Sequence, residues 1–470
     1  MRKTKIVCTI GPASESEETI TAMCEAGMNV ARLNFSHGTH AAHEKMIAAI
    51  KRVRKRLGLP IAIVLDTKGP EYRIKAFEKG EVTLTDGAAF TLTAEEVVGN
   101  ETVVSVSYDN LANELKKGDV VLLNNGLITL QVEETAPPHV HCRVIHGGVL
   151  SDRKSMSFPG KVLQQEYLSE QDKADLLFGI AHSVDYIACS FVSSARDLID
   201  VHEFLAAHNA DNIGLIAKIE NQSGVDNIEE ICEHCEGIMI GRGDMGVEIP
   251  FEELPTIQKS LITKCRMLGK RVITATEMLE TMIYNPRPTR AEISDVANAV
   301  YDGTSAVMLS GETAAGKHPV AAVAVMARIA EATEKSIDYA KLFRTREFRI
   351  RNTLDAISHA TCGMAIDIGA RGIAVCTRSG ITARMISRFR PPVDIVAITT
   401  DEKCWRKLAL SWGITPVTCE EFTSTEVLFY TAKNLAHTAL DLREGDKLVI
   451  TGGRTNGQSG NTNMIKVEQI

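Results

Sequence analysis

The chain has 470 residues, of which 44% are hydrophobic and 24% are charged, and its net charge is −8. This length favours two or three domains over a single core, and the composition is that of an ordinary globular protein. The acidic balance, with no block of like charge, argues against a nucleic-acid partner, and no apolar run reaches membrane-spanning length.

The amino-terminal residues run directly into a strand pattern, which leaves no room for an export signal. Eleven cysteines without regular spacing are typical of a reducing compartment, so we expect a cytoplasmic protein. Cys232 and Cys235 form a single CxxC pair. A structural zinc site needs a second pair, and we therefore do not expect a metal at these cysteines.

Eight short apolar runs recur along the chain, most of them separated by amphipathic helical patterns. The runs are residues 5–10, 29–35, 61–66, 186–191, 213–220, 238–244, 272–278 and 306–310. The helical patterns include residues 16–26, 43–57, 196–208, 252–268, 290–301 and 319–335. This alternation predicts the α/β class and a (β/α)8 TIM barrel.

One interval, residues 70–163, breaks this alternation with short strands and Gly turns and shows no strong helix. It predicts a small β-barrel domain inserted after the third strand. Because the insertion follows the carboxyl end of a barrel strand, we expect it to lie above the active face as a mobile lid.

A second alternating series begins near residue 340 and ends near residue 451. It predicts a separate C-terminal α/β domain with a mostly parallel sheet. We therefore divide the chain into a catalytic barrel of residues 1–69 and 164–339, a lid of residues 70–163, and a C-terminal domain of residues 340–470.

The fifth apolar run carries two charges in the middle of a pattern that is typical of a strand buried on both faces. Lys218 and Glu220 lie two residues apart and therefore point the same way. Burying them costs several kcal/mol each unless they pair or bind something. They are either a structural ion pair or a cation beside a metal ligand, and polar residues at four other strand ends favour the second interpretation.

Glu220 and Asp244 come from neighbouring strands, so their carboxylates can share one hard cation, and Mg²⁺ commonly has two carboxylate ligands plus waters. Arg32 and Lys218 add positive charge that suits a phosphorylated substrate. Residues 311–318 look like a P-loop, but His318 stands where Ser or Thr is needed, so we predict an ordinary turn there.

With these motifs in place, the chain resembles the pyruvate kinase family almost from end to end. The matching stretches are residues 8–12, 29–38, 66–73, 213–225, 242–250, 285–292 and 295–317. The order of barrel, lid and C-terminal domain also agrees, and the absence of an amino-terminal extension resembles a bacterial form. The resemblance implies the glycolytic transfer of a phosphoryl group from phosphoenolpyruvate to ADP, which gives pyruvate and ATP.

The resemblance also implies roles for individual residues at matching motif positions. Glu220 and Asp244 would hold Mg²⁺ or Mn²⁺, and Lys218 would neutralise the phosphoryl group in flight. Thr276 would sit near the enolate carbon that is protonated. Substrate binding is implied for Arg32, Lys218, Gly243, Asp244 and Thr276.

A potassium ion and the nucleotide phosphates have implied ligands as well. The potassium set is Asn34, Ser36, Asp66 and Thr67, and the nucleotide set is His37, Arg73 and Lys154. A glutamate at the position of Glu71 accompanies potassium dependence in the family, so we expect the potassium-dependent form. Asn124 and Asn125 depart from the family pattern, which usually has two aspartates at these lid positions.

The C-terminal domain contains a loop that matches the place where the family binds phosphorylated allosteric activators. Its implied effector residues are Thr377, Arg378, Ser379, Gly380 and Thr382. The spacing of these residues alone favours a phosphate-binding loop and an ordinary turn with a helix N-cap equally. The effector's identity stays open, and a homotetramer is implied by the family.

Two other functions fit the residues. A magnesium-dependent barrel lyase or aldolase that acts on enolates could use Glu220 and Asp244, but it would need neither the lid nor the C-terminal domain. A catalytically inactive binding protein on the same fold would be expected to lack Lys218, Arg32 or a metal carboxylate, and all of these are present.

Overall fold

The computed structural model describes residues 1–453 and 462–470. The chain begins with three strands and two helices: β1 (Lys5–Thr9), α1 (Glu17–Ala26), β2 (Val30–Asn34), α2 (His40–Leu57) and β3 (Ala62–Asp66). Side chains in the sequence set the starts of both helices, since Ser16 accepts a hydrogen bond from the Thr19 N–H and Thr39 accepts one from the Ala42 N–H.

The inserted segment is almost entirely β. It contains β4 (Tyr72–Arg73), β5 (Glu81–Leu84), β6 (Ala89–Thr93), β7 (Val103–Ser105), α3 (Leu111–Glu114), β8 (Val120–Leu123), β9 (Ile128–Ala136), β10 (His139–His146), β11 (Gly148–Ser151) and β12 (Ser155–Ser157). Seven of these strands form one sheet in the order β4-β12-β8-β9-β10-β6-β7, and β11 pairs with β5. These strands enclose a core of their own, separate from the core of the barrel.

After the insertion the alternation of strand and helix resumes. The elements are α4 (Glu170–Ala181), β13 (Tyr186–Cys189), α5 (Ala195–Ala207), β14 (Gly214–Ile219), α6 (Gln222–Asp226), α7 (Ile228–Glu233), β15 (Gly237–Gly241), α8 (Arg242–Glu248), α9 (Leu254–Met267), β16 (Arg271–Ala275), a 3-10 helix (Glu280–Ile283), α10 (Arg290–Asp302), β17 (Ala306–Leu309), α11 (Gly311–Ala314) and α12 (Pro319–Lys335). Eight parallel strands close a barrel in the order β1-β17-β16-β15-β14-β13-β3-β2.

The rest of the chain forms the second α/β unit. It contains α13 (Tyr339–Thr345), α14 (Thr353–Asp367), β18 (Gly372–Cys376), α15 (Ile381–Ser387), β19 (Asp394–Thr399), α16 (Glu402–Leu408), β20 (Ile414–Thr418), α17 (Thr425–Leu440), β21 (Lys447–Gly453) and β22 (Thr462–Gln469). The sheet order is β20-β19-β18-β21-β22, and only the edge strand β22 runs antiparallel to its neighbour.

The predicted barrel and the mostly parallel C-terminal sheet are confirmed, and two predicted strand ends are corrected. The sixth strand stops at Gly241 because residues 242–248 turn into α8. The seventh stops at Ala275, and Thr276 and Glu277 follow it with φ of 66° and 53°. Left-handed backbone cannot continue a strand. The domain boundaries near residues 69, 163 and 339 stay predictions.

Candidate active site

The carboxyl ends of the barrel strands bring the predicted cations and carboxylates together. Lys218 is the last but one residue of β14, and its Nζ lies 3.0 Å from Glu220 Oε1, 3.1 Å from Asp66 Oδ1 and 2.6 Å from the hydroxyl of Ser190. Burial by itself would lower the pKa of Lys218, but the charges of Asp66 and Glu220 outweigh it and raise that pKa. Lys218 is therefore a buried cation whose charge the two carboxylates stabilise.

Arg32 completes this charge network from β2. Its Nε donates to Asp66 Oδ2 at 2.6 Å, and its Nη1 donates to the hydroxyl of Thr9 at 2.9 Å. The register pairs Asn34 of β2 with Asp66 of β3, which brings the ends of both strands to the same level. Burial alone would raise the pKa of Asp66, but Arg32 and Lys218 lower it below its usual value. The aspartate thus holds both cations in place.

Glu220 and Asp244 form the candidate site for a divalent metal. Glu220 is 1% exposed, and its Oε2 accepts a hydrogen bond from the Phe191 N–H at 2.9 Å. Burial raises the pKa of Glu220. The positive charge of Lys218 lowers this pKa, whereas the negative charge of Asp244 raises it further. A hard cation relieves the repulsion that a buried carboxylate such as Glu220 experiences from a second carboxylate nearby.

The donor set limits what kind of metal site this can be. Within residues 1–453 and 462–470, no group of three or more His, Cys, Asp or Glu side chains could hold an ion. Glu220 and Asp244 therefore fit a metal that takes its remaining ligands from water and substrate, as Mg²⁺ does at phosphate sites. Gly241 leaves room for this glutamate, since a Cβ at that position would lie 2.7 Å from Glu220 Oε1.

A second cluster holds Thr276 beside the start of α8. The hydroxyl of Thr276 accepts a hydrogen bond from the Gly243 N–H at 2.9 Å and donates to the carbonyl of Ala275 at 2.7 Å. Arg242 fixes the strained turn, because its Nη2 donates to the carbonyl of Thr276 at 2.6 Å while it pairs with Asp295 at 2.7 Å. The turn and the amide groups of α8 are thus held as one unit.

The predicted potassium ligands lie on adjacent strand ends. Asn34 and Asp66 are register partners, and the Ser36 N–H donates to Asn34 Oδ1 at 3.1 Å. The hydroxyl of Thr67 accepts a hydrogen bond from the Ser190 N–H at 3.2 Å. Their oxygens are the hard donors that an alkali cation requires, and their assignment to potassium stays a prediction.

The predicted nucleotide ligands are less closely associated. Arg73 forms an ion pair with Glu71 and donates to the carbonyl of Arg153 at 2.6 Å. His37 is exposed, and the carbonyl of Lys154 accepts a hydrogen bond from the Ile74 N–H at 3.0 Å. In the part of the chain that the structure describes, no hydrogen bond or ion pair joins His37, Arg73 and Lys154 to one another. Their shared role stays a prediction.

The lid touches the barrel through α8. A cleft between them has walls from Glu71, Tyr72, Asn125, Asp244 and Glu248, among others. Burial raises the pKa of Glu248, and hydrogen bonds from the Ser157 hydroxyl and the Phe158 N–H oppose this effect. The helix that carries Asp244 therefore lies beside the lid.

Asn124 and Asn125 lie in the turn between β8 and β9, where their φ angles of 53° and 56° are left-handed. Asparagine tolerates this conformation better than most side chains. The Asn124 N–H donates to the carbonyl of Ser155 at 3.1 Å, and the Ser155 hydroxyl donates to Asn125 Oδ1 at 2.9 Å. In this lid the two asparagines therefore support the backbone of β12.

Four of the five predicted effector residues lie in the loop between β18 and α15, and Thr382 lies in the first turn of α15. The hydroxyl of Thr377 accepts a hydrogen bond from the Gly380 N–H at 3.0 Å, and Gly380 has the left-handed φ of 78°. Thr382 is 4% exposed, and its hydroxyl lies 2.6 Å from that of Thr462. These bonds build the loop itself, and binding of an effector by Arg378, Ser379 and the other residues stays a prediction.

Sequence reasoning assigned no role to four polar residues of this site, namely Thr9, Ser190, Arg242 and Asp295. Ser190 is 1% exposed and contacts both Lys218 and Asp66. Its only signal in the sequence was a hydroxyl at the end of the fourth strand pattern. Where an ordinary turn was predicted, the stretch 311–318 begins with the short helix α11 and continues as a turn. Buried Glu312 accepts hydrogen bonds from the backbone of Ser310 and Leu279.

Comparison with protein families and known structures gives matches over nearly the whole chain. Residues 1–323 match the family model described as the pyruvate kinase barrel domain, and residues 355–468 match the pyruvate kinase alpha/beta domain. The chain is similar to the pyruvate kinase of Clostridium acetobutylicum, with 45% identity over the full length of both.

Other relatives agree with these matches. The chain is 46% identical to the pyruvate kinase of Geobacillus stearothermophilus, with all of this chain and 80% of that protein covered. Among solved structures, a pyruvate kinase from Cryptosporidium parvum superposes with a TM-score of 0.94 at 36% identity, covering 100% of this chain and 96% of the other. Among the residues that the structure describes, no helix has the length and apolarity to cross a membrane.

Proposed function

The chain belongs to the pyruvate kinase family and transfers a phosphoryl group from phosphoenolpyruvate to ADP, and on this premise we propose how its own residues perform the reaction. The proposal rests mainly on the position of Lys218. Its ammonium group lies among Asp66, Glu220 and Ser190 at the carboxyl ends of the barrel strands, where active sites of this fold collect.

Lys218 and Arg32 neutralise the phosphoryl group as it moves between the two substrates. Phosphoryl transfer asks a protein chiefly for positioning and for charge stabilisation. Asp66 and Ser190 hold Lys218 in place, and Asp66 and Thr9 hold Arg32, so neither cation must reorganise during the reaction. Glu220 and Asp244 hold a divalent cation, which when bound supplies further positive charge to the phosphate oxygens.

The start of α8 binds the substrate carboxylate through the backbone N–H groups of Gly243 and Asp244, and the carboxylate replaces the Thr276 hydroxyl as the acceptor for Gly243. Thr276 lies beside this helix and positions a proton near the enolate carbon that becomes the methyl group of pyruvate. Asn34, Ser36, Asp66 and Thr67 bind potassium, and His37, Arg73 and Lys154 contact the nucleotide phosphates when the lid closes and excludes water. The enzyme works in the cytoplasm as a homotetramer that a phosphorylated metabolite activates.

A coupled assay for pyruvate tests this function, with phosphoenolpyruvate, ADP, Mg²⁺ and K⁺ present. We expect turnover that requires ADP. Release of pyruvate without ADP would instead indicate a phosphatase or a lyase, and no turnover under any ionic condition would indicate a binding protein on this fold. The intact set of Arg32, Lys218, Glu220 and Asp244 argues against the inactive alternative.

A further inference from the structure

His43 is a buried histidine beside a loop that the proposed mechanism uses. The loop, residues 35–38, joins β2 to the residue that caps α2, and it contains Ser36 and His37. His43 lies in the first turn of α2 and is 4% exposed, whereas Ser36 and His37 are exposed. Because a buried polar side chain needs a hydrogen-bond partner, the partner of this ring indicates what the ring does.

The imidazole ring of His43 bonds to the backbone of the loop. Its Nε2 lies 2.9 Å from the carbonyl oxygen of His37. Within residues 1–453 and 462–470, no other protein group donates a hydrogen bond to this carbonyl. A carbonyl can only accept a hydrogen bond, so Nε2 carries a proton and donates it. His43 therefore fixes the main chain of the residue whose side chain is assigned to the nucleotide.

The other ring nitrogen of His43, Nδ1, is buried and has no hydrogen-bond partner among the described residues. Burial lowers the pKa of His43, the bond to the His37 carbonyl and the charge of Asp175 oppose this effect, and His40 adds to it. The net result is a lowered pKa, so the ring is neutral near pH 7. Its single N–H is thus the one that bonds to the loop.

The same ring packs against the start of the loop. It stacks on the ring of Phe35, with the centroids 4.0 Å apart and the planes inclined by 11°. Phe35 is held in turn, because its N–H donates to the carbonyl of Asp66 at 2.9 Å. His43 therefore contacts the chain on both sides of Ser36.

Gly38 allows the ring to approach the loop this closely. Its φ of 84° is left-handed, and a Cβ built on it would lie 3.3 Å from His43 Nε2. A side chain at this position would crowd the ring and strain the backbone. The His43 N–H donates to the carbonyl of Thr39 at 3.0 Å, so the ring is carried by the first hydrogen-bonded turn of α2.

We propose that His43 is a positioning residue that holds residues 35–38 in the shape required to bind potassium and the nucleotide. Its hydrogen bond to the His37 carbonyl, more than the packing of its ring, sets where the Ser36 hydroxyl and the His37 side chain lie. This role rests on the proposed function, which assigns Ser36 to potassium and His37 to the nucleotide phosphates. His43 is buried behind the loop and acts through it.

Two substitutions separate the hydrogen bond from the packing. His43→Phe keeps an aromatic ring against Phe35 but has no donor. His43→Gln loses the ring but carries an amide N–H that can reach the His37 carbonyl. Steady-state rates of the full-length protein, with ADP, K⁺ and phosphoenolpyruvate varied in turn, compare these variants with the wild type.

We expect the KM for ADP and the half-saturating K⁺ concentration to rise about tenfold in His43→Phe, which is the scale of one lost hydrogen bond. In His43→Gln both should stay within about twofold of the wild type, because the donor is restored. The KM for phosphoenolpyruvate should change by less than about twofold in both variants, since other contacts hold Arg32 and Lys218.

His202→Phe is the matched control. This histidine lies on α5, where its Nε2 lies 2.8 Å from the carbonyl oxygen of His234, and it belongs to no predicted site. It should leave all three constants unchanged. Equal rises in His43→Phe and His43→Gln would show that the ring acts by packing alone. Wild-type constants in His43→Phe would show that the hydrogen bond positions nothing, and either result would overturn the proposal.

Failure of the proposed function would give a different result. A wild-type protein that makes no pyruvate from phosphoenolpyruvate and ADP would refute that function, and binding of MgADP in K⁺ buffer, measured by calorimetry, would then decide the role of His43. Weaker binding in His43→Phe but not in His43→Gln would support the role. Equal or undetectable binding in the wild type and both variants would overturn it.

Discussion

At the scale of single residues, the proposed mechanism depends most on Lys218. The substitution Lys218→Met removes the cation that we propose to face the moving phosphoryl group. We expect kcat to fall by about three to five orders of magnitude, the scale of comparable cations in phosphoryl transfer. Because Glu220 and Asp244 remain, Mn²⁺ binding followed by electron paramagnetic resonance should largely survive.

The control for this change is Lys55→Met, which alters an exposed lysine on α2. It should leave kcat unchanged. Near-normal turnover in Lys218→Met would remove Lys218 from the catalytic machinery and leave it as the structural partner of Asp66 and Glu220.

Glu71 is the second single residue with a testable role, which is the requirement of the activity for potassium. Its carboxylate pairs with Arg73 and lies 3.9 Å from Lys68 Nζ, close to Asp66 and Thr67 in the chain. We expect activity that requires K⁺, and a much smaller requirement in Glu71→Lys, since a fixed ammonium group substitutes for the bound cation. Rates of the wild type and of Glu71→Lys in potassium and in tetramethylammonium buffers measure this difference. Full wild-type activity in tetramethylammonium alone would contradict the predicted requirement for potassium.

At the scale of elements, the turn after β16 depends on Arg242 of α8. The guanidinium group joins the carbonyl of Thr276 to Asp295 of α10 and holds two left-handed residues. In Arg242→Met we expect kcat to fall by about 100-fold, because a shift of about 1 Å in a catalytic group costs that much. The exchange of pyruvate methyl hydrogens with solvent should slow in parallel, since the proposed mechanism assigns Thr276 to the proton at that carbon.

Arg328→Met, an exposed arginine on α12, is the control for the loss of a positive charge. Circular dichroism checks that the variants fold. A purely structural role for Arg242 would change stability and leave the exchange rate of correctly folded protein at the wild-type value.

The loop before α15 is the second element with a testable role. We expect that some phosphorylated metabolite lowers the phosphoenolpyruvate concentration for half-maximal rate, and a sugar bisphosphate, a sugar monophosphate and a nucleoside monophosphate are the compounds to try. Ser379→Ala with Thr382→Ala should abolish this response and spare the basal maximum rate, because the loop and the catalytic cluster lie in different domains.

Thr382 also contacts Thr462, so the double variant can loosen the C-terminal sheet. The single variant Ser379→Ala separates the two effects, and Thr438→Ala, an exposed hydroxyl of the same domain, is the control. Activation that persists unchanged in the double variant would place the effector elsewhere.

At the scale of the whole molecule, Glu236 links the barrel to the C-terminal domain. It pairs with Arg271 at 2.9 Å and with Lys407 of α16. Burial would raise the pKa of Glu236, but Arg271 and Lys407 outweigh it and lower the pKa to about 2. Between about pH 4.5 and 2, the unfolded chain therefore binds more protons than the folded chain. The stabilisation that ionised Glu236 contributes is complete above about pH 4.5 and is lost as the pH falls towards 2.

Urea unfolding of the wild type and of Glu236→Gln at several pH values measures this effect. The difference in the free energy of unfolding between them should shrink as the pH is lowered from about 5.5 to 3. Glu25→Gln, an exposed carboxylate, should show no such trend. A difference that stays constant with pH would show that the ion pairs contribute nothing to the contact between domains.

The amino-acid sequence by itself determined the larger part of the fold. Apolar runs with regular spacing specify elements locally, so the eight barrel strands could be placed to within a few residues. Part of the chemistry of the site was also readable, because Lys218 and Glu220 place two charges in the pattern of a buried strand. Strand β22, which follows the last predicted strand as an antiparallel edge, was not predicted.

Only the tertiary structure decided which groups meet. The bond of Lys218 to Ser190 and the pairing of Arg242 with Asp295 join residues that are distant in the chain. No periodic pattern encodes such pairs, because a hydroxyl or a guanidinium group looks the same in the sequence whether it faces solvent or a buried charge. Their energies depend on distance and burial, which exist only once the strands have closed the barrel and the C-terminal domain has packed against its amino ends.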